Sequence, residues 1–392
     1  MTEIDVARLR AETRGCENVV HLNNAGASLP PAPIADHLYA YLRDEEMKGG
    51  YETADLRHDE LEHFYVAAAR LLNASPEEIA FVENATRAWD MAFYAFPFKS
   101  GDRILTTVAE YGSNLIAYLQ QARKTGAELV VVPNDEHGQI DLEQLEALID
   151  ERVKLISISH IPTGGGLVNP AAAVGRIARK HGVPYLLDAC QSAGQMRLDV
   201  EELGCDMLSV TGRKYLRGPR GTGFLYVRKN WIEKLEPPFL DQHAAELIDS
   251  ETFIIRRDVR RFENWERFFA GQAALGTAID YAMDIGLEAI QDRVFSLAAT
   301  LRAGLADTPG IRVADEGLVK CGLVTFQHDR LECEEIKAAM SQKGFNMSVS
   351  NGSGTKLSFM ARGLEAGLVR TSVHYFNTDD ELERFLGVLR SL

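Results

Sequence analysis

Cysteine is scarce in this chain and scattered: Cys16, Cys190, Cys205, Cys321 and Cys333 are its five, with no C-x-x-C pair among them. An odd count without paired spacing excludes a disulfide framework or a zinc ribbon, and it points to reduced thiols in a cytoplasmic protein. Positive charge is also in deficit. Lysine and arginine number 42 against 57 acidic residues, a net charge of −15, which argues against nucleic acid or an anionic membrane as partner. No apolar run approaches the roughly 18–20 residues that cross a bilayer. The opening stretch MTEIDVARLRAET is charged and amphipathic, unlike a secretory signal. Internal repeats and low-complexity linkers are missing too. What remains is an ordinary globular composition, 46% hydrophobic and 25% charged. At 392 residues the chain is long enough for one large domain and one smaller one.

Short apolar runs alternate with helical patterns from 79 to 228. Ile79-Ala80-Phe81-Val82, the run 103–107, Leu129-Val130-Val131-Val132, the run 155–159, Tyr185-Leu186-Leu187 and Met207-Leu208-Ser209-Val210 read as buried strands. Their alternation with helices predicts an α/β architecture, a mostly parallel sheet covered on both faces. Before it, helices are expected at 3–14, 33–49 and 54–73, the first packing back on a distant part of the fold. After Trp231 the pattern changes. Helices at 267–284 and 286–306 lead to strands at 322–326, 345–350 and 368–373, with helices at 333–343 and 379–391. A basic run at 251–263, with Arg256, Arg257, Arg260 and Arg261, reads as a solvated face or a salt-bridge set.

The stretch 185–228 carries the chemistry. Asp188 ends one buried strand, where open α/β sheets bind ligands. The next strand is followed by Thr211-Gly212-Arg213-Lys214 and the glycine-rich Gly218-Pro219-Arg220-Gly221-Thr222-Gly223. A carboxylate and a lysine are thus each delivered to a strand end. Singly, Asp188 is an ordinary helix cap and Lys214 a loop lysine. Together they meet a demanding specification: pyridoxal phosphate needs a lysine for its aldehyde, an acid for its pyridine nitrogen and donors for its phosphate. Arg213 beside Lys214 favours the neutral amine.

From about His21 to Leu392 the chain resembles the class V aminotransferase and cysteine desulfurase superfamily, fold type I of the pyridoxal phosphate enzymes. The motifs are Asp188-Ala189-Cys190-Gln191 for D-x-x-Q, Thr211-Gly212-Arg213-Lys214 for [ST]-x-H-K, and a close match at Val369-Arg370-Thr371-Ser372 through Tyr375-Phe376-Asn377-Thr378 to Glu381. The resemblance implies a seven-stranded type of sheet in a large cofactor domain, 21–265. A small domain would comprise 1–20 and 266–392. It further implies a homodimer with the active site near the subunit interface and a small amino-acid substrate.

Residue by residue, the resemblance implies Lys214 as the Schiff-base lysine and later the base at the α-carbon, and Asp188 as partner of the ring N–H. Gln191 would meet the phenolic oxygen. Ala85 and Thr86, at a strand-to-helix turn with free amides, would grip phosphate together with Thr211 and Arg213. Tyr111 would stack on the ring where desulfurases carry histidine, and Arg213 too replaces a histidine. Arg370 would take the substrate carboxylate, with Asn24 and Ala25 of the loop 21–28 close by. Desulfurases place a loop asparagine near the phenolic oxygen; here its counterpart is Thr163 or Gly164. The family's cross-dimer threonine has no equivalent, because Asn264-Trp265-Glu266 follow Arg261-Phe262-Glu263.

These assignments imply an α-carbanion, which elimination, transamination and epimerisation share. A persulfide-forming desulfurase needs a cysteine on a loop before the carboxylate-binding strand, and the sequence from 344 to 370 contains none. The whole set is more like the isopenicillin N epimerase-like and ergothioneine carbon–sulfur lyase branch. Carbon–sulfur β-elimination is therefore the expected reaction, with an aminotransferase or epimerase as the alternative. Ser353-Gly354-Thr355-Lys356 imitates a hydrolase S-x-x-K motif, but its K-T-G companion is missing and the segment reads as a flexible loop. A non-catalytic scaffold of the same fold is the remaining contrast.

Overall fold

The computed structural model describes residues 4–392. The first residue of the helix expected at 3–14 lies outside the described residues, as do residues 1–2 of the segment 1–20.

The centre is a seven-stranded sheet of β1 (Ile79–Val82), β2 (Arg103–Thr107), β3 (Glu128–Val132), β4 (Val153–Ser159), β5 (Tyr185–Asp188), β6 (Met207–Thr211) and β7 (Gly223–Val227). Their spatial order is β1-β7-β6-β5-β4-β2-β3. β7 runs antiparallel to both its neighbours and the other pairs are parallel, so the sheet is mixed and mostly parallel, as expected. Both faces are covered because every second side chain serves a different core. Ile79, Phe81 and Leu187 pack with helices His58–Leu72 and Phe269–Ile285, whereas Ala80, Val82 and Leu186 pack with Trp89, Phe93 and Tyr118. A strand with period-two side chains can bury both sets only between two helical layers.

Register places the site. Ser159 lies opposite Asp188 and Asp188 opposite Ser209, so the carboxyl ends of β4, β5 and β6 form one ledge. Three elements depart from the sequence expectation there and at the edges. β7 follows its glycine-rich turn so closely that the turn dominates the sequence pattern. The hairpin Ala245–Leu247 with Phe253–Ile255 is short and exposed, with little periodic signal. The helical region 33–73 is three helices, Ala32–Lys48, Gly50–Leu56 and His58–Leu72, broken at Gly49 and Arg57.

A four-stranded antiparallel sheet follows, of β8 (Ile311–Val313), β9 (Leu323–His328), β10 (Ser348–Ser350) and β11 (Leu368–Ser372), in the order β8-β9-β11-β10. The strand expected at 345–350 is divided at Met347. Phe345–Asn346 pairs in parallel with Val20–His21, and Ser348–Ser350 pairs with β11. That division stitches the N-terminal segment to this sheet. The first helix is also shorter than expected, Val6–Ala11 followed by a 3-10 turn at Arg14–Glu17. It does pack far away: the Arg10 guanidinium donates to the Phe376 carbonyl and pairs with Glu381, both at 2.8 Å. The segment read as a flexible loop around Ser353 instead forms a 3-10 turn, Ser353–Thr355, and a helix, Lys356–Arg362. Among the described residues no helix is long and apolar enough to cross a membrane.

Candidate active site

The ledge floors a cleft of about 660 Å³, counting space open to solvent. Ala85, Thr86, Tyr111 and Thr211 line it, and so do Asp188, Gln191, Arg213 and Lys214. All eight residues assigned to the cofactor from the sequence therefore meet in one place.

Asp188 comes there as the last residue of β5. Its Oδ1 accepts from the Cys190 N–H at 2.9 Å and its Oδ2 from Asn114 Nδ2 at 3.1 Å. Burial raises its pKa above the usual carboxylate range, opposed by the Cys190 amide, the Lys214 charge and Asn114. Lys214, three residues past β6, is buried. Burial lowers its pKa; the Arg213 charge acts the same way, and Cys190 and Asp188 act against it. A neutral amine at ordinary pH is what a Schiff-base lysine requires.

The helix Ala85–Phe93 begins at the rim. Asn84 caps it, its Oδ1 accepting the Arg87 N–H at 2.9 Å. Ala85 and Thr86 thus bring the first amides of the helix, which have no intrahelical acceptor, to the cleft. The start of β7 makes room for this. A Cβ on Gly223 would stand 2.5 Å from the Val210 carbonyl oxygen and 2.9 Å from the Asn84 carbonyl carbon, so only glycine lets the helix cap approach the sheet end. Arg213 turns its guanidinium toward the loop 21–28 and donates to the Gly26 carbonyl.

On the opposite side stands Arg370, on β11. Its Nε donates to Ser348 Oγ at 3.0 Å, and its Nη1 to the Thr163 carbonyl at 3.1 Å and to Thr163 Oγ1 at 2.5 Å. Its Nη2 is the guanidinium nitrogen left without a hydrogen bond among the described residues. Thr163 lines the cleft. Gly164 does not; a Cβ there would meet Thr355 Oγ1 at 2.3 Å. Of the two candidates for the loop asparagine's place, Thr163 is thus the cleft residue. Gln191 donates its Nε2 to the Ala25 carbonyl at 3.2 Å and toward Thr163 Oγ1 at 3.4 Å, leaving its Oε1 buried without a partner.

Asn24, Ala25 and Arg370 are not among the residues lining the cleft. Asn24 donates to the Ser372 carbonyl at 2.8 Å and accepts from Ser28 Oγ at 2.7 Å, and the Ala25 N–H donates to Ser372 Oγ at 2.9 Å. Both hold the loop 21–28 against β11. Sequence reasoning missed Asn114, Ser159, Ile161 and Cys190, which also line the cleft, and Glu110 behind it. Glu110 and Asn114 stand on either side of a helix start, four residues apart, and are joined there by a 3.0 Å hydrogen bond.

The residues fit pyridoxal phosphate. A buried amine suits its aldehyde, a buried carboxylate its pyridine nitrogen, free helix amides its phosphate and the Tyr111 ring its flat face. The class that this fold and site define is the α/β, fold type I pyridoxal phosphate enzymes. The chain belongs to the aminotransferase class-V family, whose sequence profile matches residues 20–385. With this family and fold goes pyridoxal phosphate as the cofactor.

Among curated relatives, the chain is 31% identical to a probable cysteine desulfurase of Synechocystis sp., covering 95% of this chain and 90% of that one. It is 28% identical to a probable cysteine desulfurase of Pyrococcus abyssi, over 96% and 94%. Among solved structures it resembles the apo cysteine desulfurase of Thermococcus onnurineus NA1, with a TM-score of 0.93 at 26% identity, over 100% and 98% of the two chains.

Proposed function

We propose that the protein is a pyridoxal phosphate-dependent enzyme that removes the α-proton of a cysteine-type amino acid and breaks its carbon–sulfur bond by β-elimination. The observation that carries this reading is the buried Asp188 and Lys214 sharing one cleft at the ends of β5 and β6. When bound, the cofactor supplies an electron sink conjugated to the substrate's α-carbon. Asp188 keeps the proton on the ring nitrogen. Lys214 would hold the aldehyde and would serve as base at the substrate's α-carbon. Ala85, Thr86 and Thr211 would hold phosphate with Arg213 beside them, Tyr111 would cover a ring face, and Gln191 would meet the phenolic oxygen. Arg370 takes the substrate carboxylate through Nη2, the guanidinium nitrogen without a hydrogen bond among the described residues.

For cysteine the overall balance is cysteine plus water giving pyruvate, ammonia and hydrogen sulfide. The Cα–H and Cβ–S bonds break, and sulfur leaves with the electron pair of the latter. Nothing is oxidised by an outside reagent. Elimination is favoured over persulfide transfer because the stretch 344–370 has no cysteine. In its place, 351–355 packs on the site wall: a Cβ on Gly112 would stand 2.2 Å from the Ser353 carbonyl oxygen.

One observation favours a second reading. Cys190, partly exposed, lines the cleft beside Lys214, and the relatives named above are called cysteine desulfurases. Products separate the two. Incubation with L-cysteine or cystine giving pyruvate and ammonia supports elimination. Alanine, with a persulfide mass increment on Cys190, makes the protein a desulfurase instead. A 2-oxo acid formed only with an amine acceptor, or the D-amino acid, would assign it to transamination or epimerisation.

The same reading takes 21–265 as the cofactor domain, 1–20 with 266–392 as the small domain, and the protein as a cytoplasmic homodimer. Support for a dimer comes from exposed Tyr39, Leu42, Met47 and Tyr51 on the helices Ala32–Lys48 and Gly50–Leu56. Tyr39 lines an apolar hollow with Ile34, Leu38, Pro219 and Phe268 that reaches Arg213. Sedimentation as a dimer that Met47→Glu with Tyr51→Glu dissociates is the expected result.

A further inference from the structure

Behind Asp188 the fold buries a second carboxylate, Glu110, which the mechanism above does not use. It stands between β2 and the helix Gly112–Thr125 and is fully buried. Its Oε1 accepts from the Tyr111 N–H at 2.6 Å, Ser159 Oγ at 2.6 Å and Asn114 Nδ2 at 3.0 Å. Its Oε2 accepts from Thr106 Oγ1 at 2.9 Å and the Tyr118 hydroxyl at 3.3 Å. Five donors on a group that touches no substrate is a large commitment of polar side chains in a core.

Asn114 gives that commitment a direction. Its Nδ2 lies 3.0 Å from Glu110 Oε1 and 3.1 Å from Asp188 Oδ2. An amide nitrogen has two protons, and here each meets a different carboxylate. Turned over, the amide would set its own oxygen against both, so the two acceptors together decide which way Asn114 faces. Asp188 Oδ2 has no other hydrogen-bond donor among the described residues, since the Cys190 amide is spent on Oδ1.

We propose that Asn114 is a positioning residue that fixes Asp188 Oδ2 and keeps it anionic toward the cofactor's ring nitrogen, and that Glu110 is the anchor that orients Asn114. The inference rests on the role given to Asp188 in the proposed function. Hydrogen bonds to an ionised carboxylate offset the cost of burying it. Asp188 faces Lys214 and Cys190, and with the Asn114 amide these oppose the upward push of burial, Cys190 through its N–H. Glu110 faces Asp188, Tyr118 and Tyr185; burial, with the Asp188 charge, pushes it up to about 7.

The test uses the cofactor-loaded protein with no substrate. The readings are the dissociation constant of pyridoxal phosphate and the pH midpoint of the visible absorption band. Asn114→Ala is expected to weaken cofactor binding about tenfold or more, the size of a hydrogen bond to a charged group, and to move the midpoint. Glu110→Leu should move both in the same direction, and Glu110→Gln, which keeps an acceptor for Asn114, should stay within about threefold of the wild type. Adding Glu110→Leu to Asn114→Ala should change binding less than about twofold further, because Glu110 acts through Asn114. A lowered melting temperature with both readings unmoved would overturn the proposal and leave a structural role only. If Asn114→Ala does not fold, the Glu110→Gln and Glu110→Leu pair decides: equal effects overturn the proposal, and a loss in Leu alone supports it. Asp188→Asn separates the two levels. Altered readings there with an unaltered Asn114→Ala defeat this inference alone, and unaltered readings in both defeat the role of Asp188 first.

Discussion

The two walls of the cleft are built on different principles. Asp188 and Lys214 stand at neighbouring strand ends of one mostly parallel sheet, where a few residues of local sequence set their place. Arg370 stands on an antiparallel strand of the second sheet and reaches the cleft through Thr163, which is 207 residues away in sequence. The first wall is rigid by backbone pairing. The second is held by side chains: Arg370 bonds Ser348 and Thr163, and its Nη2 has no hydrogen bond among the described residues. On the proposed reading, this difference gives cofactor chemistry to the sheet and substrate choice to the contact between sheets.

Removing the amine breaks the comparison most severely. Lys214→Ala should abolish the visible absorption band and lower turnover by at least about 10²–10⁴-fold, the range of a lost acid–base group; full turnover in the variant would remove Lys214 from the mechanism. Asp188→Ala is expected next, slowing α-proton exchange by about 10²-fold or more and weakening cofactor binding far less. Deuterium wash-in at the α-carbon measures it. The second wall should yield a smaller and more selective loss. Arg370→Ala should reduce kcat/KM for an α-amino acid by about tenfold or more with cofactor loading unchanged, and it should discriminate less against the matching amine. Arg370→Lys should recover only part, since an ammonium cannot reach Ser348, Thr163 and a carboxylate at once. Loss of cofactor from Arg370→Ala would put this residue on the wrong wall.

Two further changes sharpen the contrast through stability. Arg217, buried and in a left-handed backbone conformation at φ 60°, ties the walls together. Its guanidinium donates to the Leu29 carbonyl at 2.8 Å and to Tyr375 OH and Thr13 Oγ1 at 2.7 Å, and it stacks on Phe376. Arg217→Met should cost about 2–4 kcal/mol in denaturant unfolding by stranding these groups. His160, buried one residue past β4, has its pKa lowered to about 4 by burial. Below about pH 6.5 the unfolded chain takes up a proton that the native histidine refuses, so stability falls from there toward pH 4. His160→Leu should lose about 2 kcal/mol less than the wild type between pH 7 and pH 5.

How much of this was legible follows the same division. The strands 79–82, 185–187 and 207–210 were readable because short apolar runs between turns have few other fates, and the D-x-x-Q and R-K motifs follow the second and third of them. Met347 was not readable as a break, since one residue divides a run whose halves pair with different partners, Val20–His21 and β11. The order of the loop around Ser353 was also hidden, because its polar, glycine-rich pattern is that of any turn until Gly112 and Gly164 are seen to pack under it.

By itself the sequence determined the alternation of strands and helices, the residues that arrive at strand ends and the absence of a cysteine between 344 and 370. These depend on neighbours along the chain, through side-chain period and turn chemistry. Only the tertiary structure decided that Thr163 and not Gly164 faces the cleft, that Cys190 stands beside Lys214, and that Glu110 lies behind Asp188 with Asn114 between them. Those facts depend on which groups are denied water together, and burial in a common core is a property of the assembled layers that no single segment carries.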